Sequence, residues 1–205
     1  MGIYDTQVVP RLVDLACGRR AHDELRERVC RELHGHVVEI GFGSGLNVPF
    51  YPAAVRSVGA VEPSDAGWRL ARGRVAAATV PIERIGRDGQ ALAAADNTFD
   101  CALSTWTMCT IPDVTAALLQ VRRALVPGGT LHFVEHGRAP DRAVRVWQHR
   151  LNPIQQKLCG GCHLNRDIRG LVTQAGFEIR NADSFYGAGA PRFEAAFTLG
   201  VAVAP

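Results

Sequence analysis

The sequence predicts an α/β fold: a doubly wound sheet, mostly parallel, with one antiparallel strand near its end. Three observations predict it. Seven short apolar runs alternate with helix-patterned segments along the chain, as in a parallel sheet covered on both faces. The first strand leads through Glu39-Ile40 into three alternating glycines, Gly41-Phe42-Gly43-Ser44-Gly45, and the first strand-to-helix turn is where open α/β sheets take nucleotide-like ligands. The last two runs are joined only by Tyr186-Gly187-Ala188-Gly189-Ala190-Pro191. That link is too short and glycine-rich for a crossover helix, so the two strands are expected to pair antiparallel.

Taken in order, the chain opens with helix. Val9, Leu12, Val13 and Ala16 keep a 3.6-residue period, and Leu25, Val29 and Leu33 resume it after Gly18. The expected strands are His36–Ile40, Val58–Glu62, Val80–Ile85, Asp100–Ser104, Thr130–Glu135, Phe177–Arg180 and Phe193–Val203. Ser64 is placed to cap a helix through Trp68 and Ala71. Pro112-Asp113 opens another, with Val114, Ala117, Leu118, Val121 and Leu125 as its apolar face, and Pro127-Gly128-Gly129 is expected to stop it. Gly176 ends a helix that runs through Leu171, Val172 and Ala175. The 205 residues suit one domain: an N-terminal helical cap over 1–34, a cofactor-binding core over 36–136, a lid or helical segment over 137–176, and a C-terminal strand pair over 177–205.

Composition narrows the class. With 47% apolar and 21% charged residues, the chain reads as an ordinary globular domain, and its apolar runs are too short to span a bilayer. A net charge of +3, with arginines scattered among acidic neighbours, calls for no nucleic-acid partner. The N-terminus lacks the basic-then-apolar order of a signal peptide, and six cysteines in such a chain read as reduced thiols. The expectation is a cytoplasmic enzyme, monomer or homodimer, acting on a small molecule.

The glycine turn and two later carboxylates define a ligand. Glycines let the main chain bend sharply and let a ligand approach it closely. Glu62 ends the second strand about twenty residues beyond Gly41, where a carboxylate accepts ribose hydroxyls. Asp88-Gly89 follows the third strand, where a carboxylate and an N–H read an adenine edge. A dinucleotide fingerprint wants its third glycine one position later, where Leu46 stands, and needs a helix N-terminus cleared for pyrophosphate. Glu39 would repel a pyrophosphate but suits an ammonium. The pattern points to S-adenosylmethionine, with S-adenosylhomocysteine as product. The expected cofactor set is Glu39, Gly41, Phe42, Gly43, Gly45, Asn47, Glu62, Pro63, Asp88 and Gly89.

The order E-x-G-x-G-x-G, Glu62, Asp88-Gly89-Gln90-Ala91-Leu92, Asp96-Asn97-Thr98-Phe99-Asp100 and Leu125-Val126-Pro127-Gly128-Gly129 resembles the methyltransferase type 11 group, class I S-adenosylmethionine-dependent enzymes, across residues 36–136. The resemblance implies a Rossmann-like seven-stranded sheet, Glu62 on the ribose, Asp88 and Gly89 at the adenine, and Thr105 near the methionine moiety. A narrower set also stands out: Gly45-Leu46-Asn47, Phe50-Tyr51-Pro52, Met108-Cys109-Thr110, Glu135-His136, Trp147-Gln148, Leu151-Asn152-Pro153 and Gly161 through Asp167. It resembles the methyltransferase-like family that includes the animal membrane-associated alkyl thiol methyltransferases, although this chain lacks their hydrophobic N-terminal anchor. That resemblance makes a thiol the leading acceptor. Quinones, phenols, a phospholipid headgroup and arsenite stand behind it, and a cofactor-binding sensor without transfer activity is the rival from another class.

Methyl transfer asks the protein to exclude water, align a nucleophile and, where needed, remove a proton. A thiol with a pKa of about 8.5 needs little help. His136 is the candidate base and Glu135 its orienter, against the alternative of a histidine bonded to loop backbone. Trp106, Cys109 and Trp147 are the candidate substrate contacts, with core packing as the alternative for Trp106 and Cys109. Cys159-Gly160-Gly161-Cys162-His163 matches the haem-attachment spacing, which normally goes with export, and lacks the second ligand pair of a zinc site. It is read as a glycine-containing turn leading to a capped helix over the active site, with no metal assigned. Convergence of Cys109, Cys159 and Cys162 is the feature that would suit arsenite. Trp147 and the N-terminal segment around Tyr4 are expected to shape the acceptor pocket.

Overall fold

The computed structural model describes residues 11, 14, 15, 17, 18 and 20–205. The expectations for Tyr4, Val9, Leu12, Val13 and Ala16 lie outside the described residues. Seven strands form one sheet: β1 (Gly35–Ile40), β2 (Val55–Val61), β3 (Ile82–Gly86), β4 (Phe99–Thr105), β5 (Leu125–His136), β6 (Glu178–Tyr186) and β7 (Ala196–Val203), in the order β3-β2-β1-β4-β5-β7-β6. All pairings between β1 and β5 are parallel, and β7 runs antiparallel to both β5 and β6. The single reversed strand is the one anticipated from the short glycine-rich link.

Strand side chains alternate between faces, and the sheet has a core on each. Val37, Val58, Cys101, Leu103, Val134, Phe197 and Leu199 meet Leu25, Val29 and Leu33 from α1 (Asp23–Cys30) and the segment after it. Val38, Ile40, Ala102, Leu131 and Phe133 meet Leu118 and Val121 of α3 (Val114–Ala124) and Ile168 and Val172 of α5 (Ile168–Gln174). Each such side chain contributes about 1.5–3 kcal/mol on burial. A third, smaller cluster of Phe42, Ala60 and Ala71 seats α2 (Asp65–Ala76) beneath the glycine turn.

Helix starts follow the caps read from the sequence. Ser64 accepts from the Gly67 amide, Asp113 from Ala116 and Asp167 from Gly170. Gly176, at φ +86°, follows α5. Two details differ. The helix after Asp113 ends at Ala124, and β5 begins at once with Leu125, because Leu125 pairs with Phe99 before Pro127-Gly128-Gly129 shifts the register. The helix capped by Asp167 is no cover over the site, since Ile168 and Val172 pack it onto the sheet. The longest helix among the described residues is instead α4 (Arg142–Leu158), docked by Gln148. Gln148 is fully buried, accepts from the Ala139 amide, and donates to the carbonyls of Gly137 and Phe193.

Candidate active site

Strand ends β1, β2, β4 and β5 bring their carboxyl termini to one edge, and the expected site residues gather there. The turn after β1 uses left-handed backbone at Gly41, Gly43 and Gly45, with φ of +72°, +59° and +76°. At Gly41 a Cβ would stand 2.1 Å from Thr107 Oγ1, so glycine is required by packing as well as conformation. At Gly43 the nearest atom to such a Cβ is the Gly41 carbonyl oxygen, 3.9 Å away. That open space above the main chain is where a ligand can reach the turn.

Two carboxylates organise the turn. Glu62, buried at the end of β2, accepts from the Gly43 amide at 2.6 Å and from the Ser64 amide at 2.7 Å. Burial raises its pKa, and the two amides oppose the rise. Glu39 is buried within a polar network: Asn47 donates to it at 2.8 Å and Tyr51 donates to its other oxygen. Asn47 also donates to Thr105 Oγ1 at 2.9 Å and accepts from Arg26 at 2.6 Å. Burial pushes Glu39 up to about 7, against the hydrogen bonds of Tyr51 and Asn47. A set of side chains thus links Glu39 through Asn47 to Thr105 at the end of β4. Phe42 turns inward, its ring tilted against Trp68 at 5.4 Å between centroids, and brings only its main chain to the turn. Pro63 is exposed beside Glu62.

Asp88 stands exposed after β3, accepting on Oδ1 from the Gln90 amide and side chain, which lower its pKa. Gly89 begins the short 3-10 turn that follows. From the N-terminal segment, Asp14 accepts from Ser44 at 2.5 Å and pairs with Arg74 at 3.2 Å. Asp14 therefore ties to the glycine turn through Ser44.

At the end of β4 the chain breaks direction sharply. Trp106 holds φ +50°, an uncommon conformation for a bulky residue and one that clusters at functional sites. Arg26 lies 4.7 Å above its ring, Phe197 packs edge-on at 6.0 Å, and its buried indole N–H meets no acceptor among the described residues. Glu135 holds this break. It is completely buried and accepts from Ser104 Oγ (2.8 Å), the Thr107 amide (3.0 Å) and the Cys109 amide (3.3 Å). Glu135 therefore does not orient His136, because consecutive strand residues face opposite sides of the sheet. His136 points to the other face and stacks on Phe197, 5.0 Å between centroids.

His136 has a different partner. Its Nδ1 lies 3.7 Å from Cys162 Sγ, and Cys109 Sγ is within 4.8 Å of both. The Cys162 thiol beside it and burial hold Cys109 well above the usual thiol range, while the Cys109 thiol, with His136 also at hand, draws Cys162 down. The donor atoms of Cys109, His136 and Cys162 all lie within 4.8 Å of one another. Cys159 is exposed and outside this group, so the three-cysteine convergence is replaced by two thiols and an imidazole. Trp147 is not drawn in either: it is 55% exposed on α4, under Arg150. Gln148 faces inward, and one residue along a helix turns about 100° away.

Sequence reasoning passed over Thr107, Ser104, Tyr51, Arg26 and Gln148. Only Tyr51 and Gln148 lay in quoted motifs, and the others carry no pattern that separates them from ordinary polar residues. The residues fit a sulfonium nucleotide: an open glycine main chain, buried carboxylates at the ends of β1 and β2 whose oxygens can each accept a second bond, and an exposed carboxylate after β3.

Comparison with known proteins places this geometry. The model of the methyltransferase domain family matches residues 38–133. A thiol S-methyltransferase, TMT1B of Rattus norvegicus, is 30% identical over 147 residues, 69% of this chain and 59% of the relative. Human TMT1A, also a thiol S-methyltransferase, is 28% identical over 145 residues, again 69% and 59%. The chain thus spans about three-fifths of the length of the curated relatives it matches. A SAM-dependent methyltransferase from Thermotoga maritima superposes with a TM-score of 0.71 at 22% identity, covering 99% of this chain and 98% of that one. The [4+2]-cyclase SpnF gives 0.70 at 16% identity, covering 89% and 80%. At such identities the superpositions show the fold alone. No helix among the described residues is long and apolar enough to cross a membrane.

Proposed function

We propose that the chain, whose residues 38–133 match the methyltransferase domain family, is a class I S-adenosylmethionine-dependent enzyme that transfers the cofactor's methyl group to the sulfur of a small thiol. The bound cofactor supplies a methyl carbon already activated by a sulfonium leaving group. Everything else falls to the protein. Glu62 takes the ribose hydroxyls on its remaining lone pairs, Asp88 and the Gly89 amide take the adenine edge, and the open main chain at Gly43 receives the amino-acid tail. Glu39, through Asn47 and Thr105, sets the charge beneath that tail.

On the acceptor side, Glu135 fixes the 104–109 turn, so that Trp106 and Cys109 face the strand end in one arrangement. His136 is placed at that edge to take the acceptor's proton. The deprotonated acceptor sulfur would be the nucleophile for the methyl group the bound cofactor supplies, with S-adenosylhomocysteine as the leaving group that keeps the electron pair. An acceptor of ordinary thiol acidity needs only this modest help.

One observation carries the thiol assignment: the curated relatives named for thiol S-methylation align over 69% of the chain. The test is incubation with methyl-labelled cofactor and a panel of small alkyl thiols, sulfide, quinols and phenols. S-methyl products are expected. Labelled quinol or phenol ethers without any thioether would overturn the reading.

A further inference from the structure

We propose that Cys109, His136 and Cys162 form a three-ligand site for a soft divalent cation, zinc in the first instance, whose fourth position takes the sulfur of the acceptor. The inference rests on the thiol reading and changes the part His136 has in it.

The three donors come from separate places: the turn after β4, the end of β5 and the loop after α4. Both cysteines are buried and His136 is half-buried. Their donor atoms lie within 4.8 Å of one another, with His136 Nδ1 and Cys162 Sγ at 3.7 Å. Zinc–sulfur bonds of about 2.3 Å put tetrahedral donors roughly 3.8 Å apart, so closure by about 1 Å at most completes the set. Two thiolates and one imidazole are a known catalytic zinc donor set, which keeps one position open.

The surroundings hold these ligands as a metal site requires. Glu135 accepts from the Cys109 amide, the Cys109 carbonyl accepts from the His163 amide at 2.8 Å, and Phe197 stacks on the His136 ring. Arg166 donates to the Met108 carbonyl, pinning the residue before Cys109. Gly160 and Gly161, both at positive φ, shape the turn that delivers Cys162. The site also lies next to the cofactor turn: Thr107, bonded to Glu135, donates to the Gly41 carbonyl at 3.4 Å.

The chemistry balances. The acceptor thiol displaces a metal-bound water and loses its proton to solvent. Its sulfur remains on the ion as a thiolate and attacks the methyl carbon, whose bond to the sulfonium sulfur breaks with the electron pair left on S-adenosylhomocysteine, and the neutral thioether leaves the ion. Two cysteinates cancel the charge of zinc, so the added thiolate gives the site a net negative charge facing a cationic donor. His136 is a ligand through Nδ1 in this arrangement and takes no proton.

The test uses the full chain, purified without chelators in a phosphine reductant. Zinc content by plasma mass spectrometry is expected at one per chain. Cobalt(II) substitution should give thiolate charge-transfer and tetrahedral ligand-field bands, and a small alkyl thiol should shift the latter. Cys162→Ser should lower zinc affinity at least about 100-fold in competition with a chromophoric chelator, with S-adenosylhomocysteine binding retained as the check on folding. His136→Asn serves if Cys162→Ser does not fold, and Cys159→Ser should leave affinity unchanged. Unaltered affinity in Cys162→Ser, or cobalt bands indifferent to the thiol, would overturn the proposal. So would full thiol methylation by zinc-stripped protein, which would leave the thiol reading standing. Stoichiometric zinc with no thiol methylated would instead remove the thiol reading.

Discussion

The Gly43 amide donates to Glu62 Oε2 across 2.6 Å, tying the turn after β1 to the end of β2. The same carboxylate accepts from the Ser64 amide at the start of α2. Glu62 thus braces the glycine turn, and it is the carboxylate proposed above for the ribose. A cofactor sugar arriving there meets a charge already fixed in position.

Glu62→Ala is expected to weaken S-adenosylhomocysteine binding about 10- to 100-fold, the loss of one or two hydrogen bonds to a charged group. Equilibrium dialysis with labelled nucleotide measures it. Unchanged affinity would take Glu62 out of the site.

His136→Ala separates binding from transfer. Cofactor affinity should stay within about twofold of the parent while turnover of the thiol falls by about 100-fold. Parallel loss of both would place His136 among the residues that shape the fold.

Two glycines should respond in opposite directions. Gly41→Ala forces a Cβ to 2.1 Å from Thr107 Oγ1 at φ +72° and should cost about 1–3 kcal/mol in urea denaturation. Gly73→Ala, in α2 with nothing within 4 Å, should stabilise by about 0.5–1 kcal/mol.

Acid stability has a local source in His132. Burial strips solvent from its imidazolium and lowers its pKa from 6.5 to about 4. Between those values the unfolded chain binds a proton that the folded chain does not, so stability falls as pH drops from 6.5 to 4 and levels off below. The difference is about 2 kcal/mol by pH 4.5. Denaturant melts at pH 7 and pH 4.5 should show His132→Gln losing less stability than the parent by that amount; parallel losses would contradict it.

Much of the fold was legible because its signals are local. Each strand is a short apolar run, and Ser64, Asp113, Asp167 and Gly176 mark helix ends by their own side chains or lack of one. The start of β5 was not, since Pro127-Gly128-Gly129 reads as a turn and only the pairing of Leu125 with Phe99 makes it a strand. In the site, the glycine turn and Glu62 were legible from spacing. The opposite facing of Glu135 and His136 follows from strand alternation, yet adjacency in sequence suggested a pair. The thiol–imidazole group was out of reach, because Cys109, His136 and Cys162 meet only when β4, β5 and the loop after α4 are in place.

The account depends on a nucleotide held between the glycine turn and Glu62. Calorimetric titration of the folded full-length chain with S-adenosylhomocysteine tests it most directly. One saturable site per chain is the predicted result; no heat of binding from protein with an intact thermal transition would contradict it.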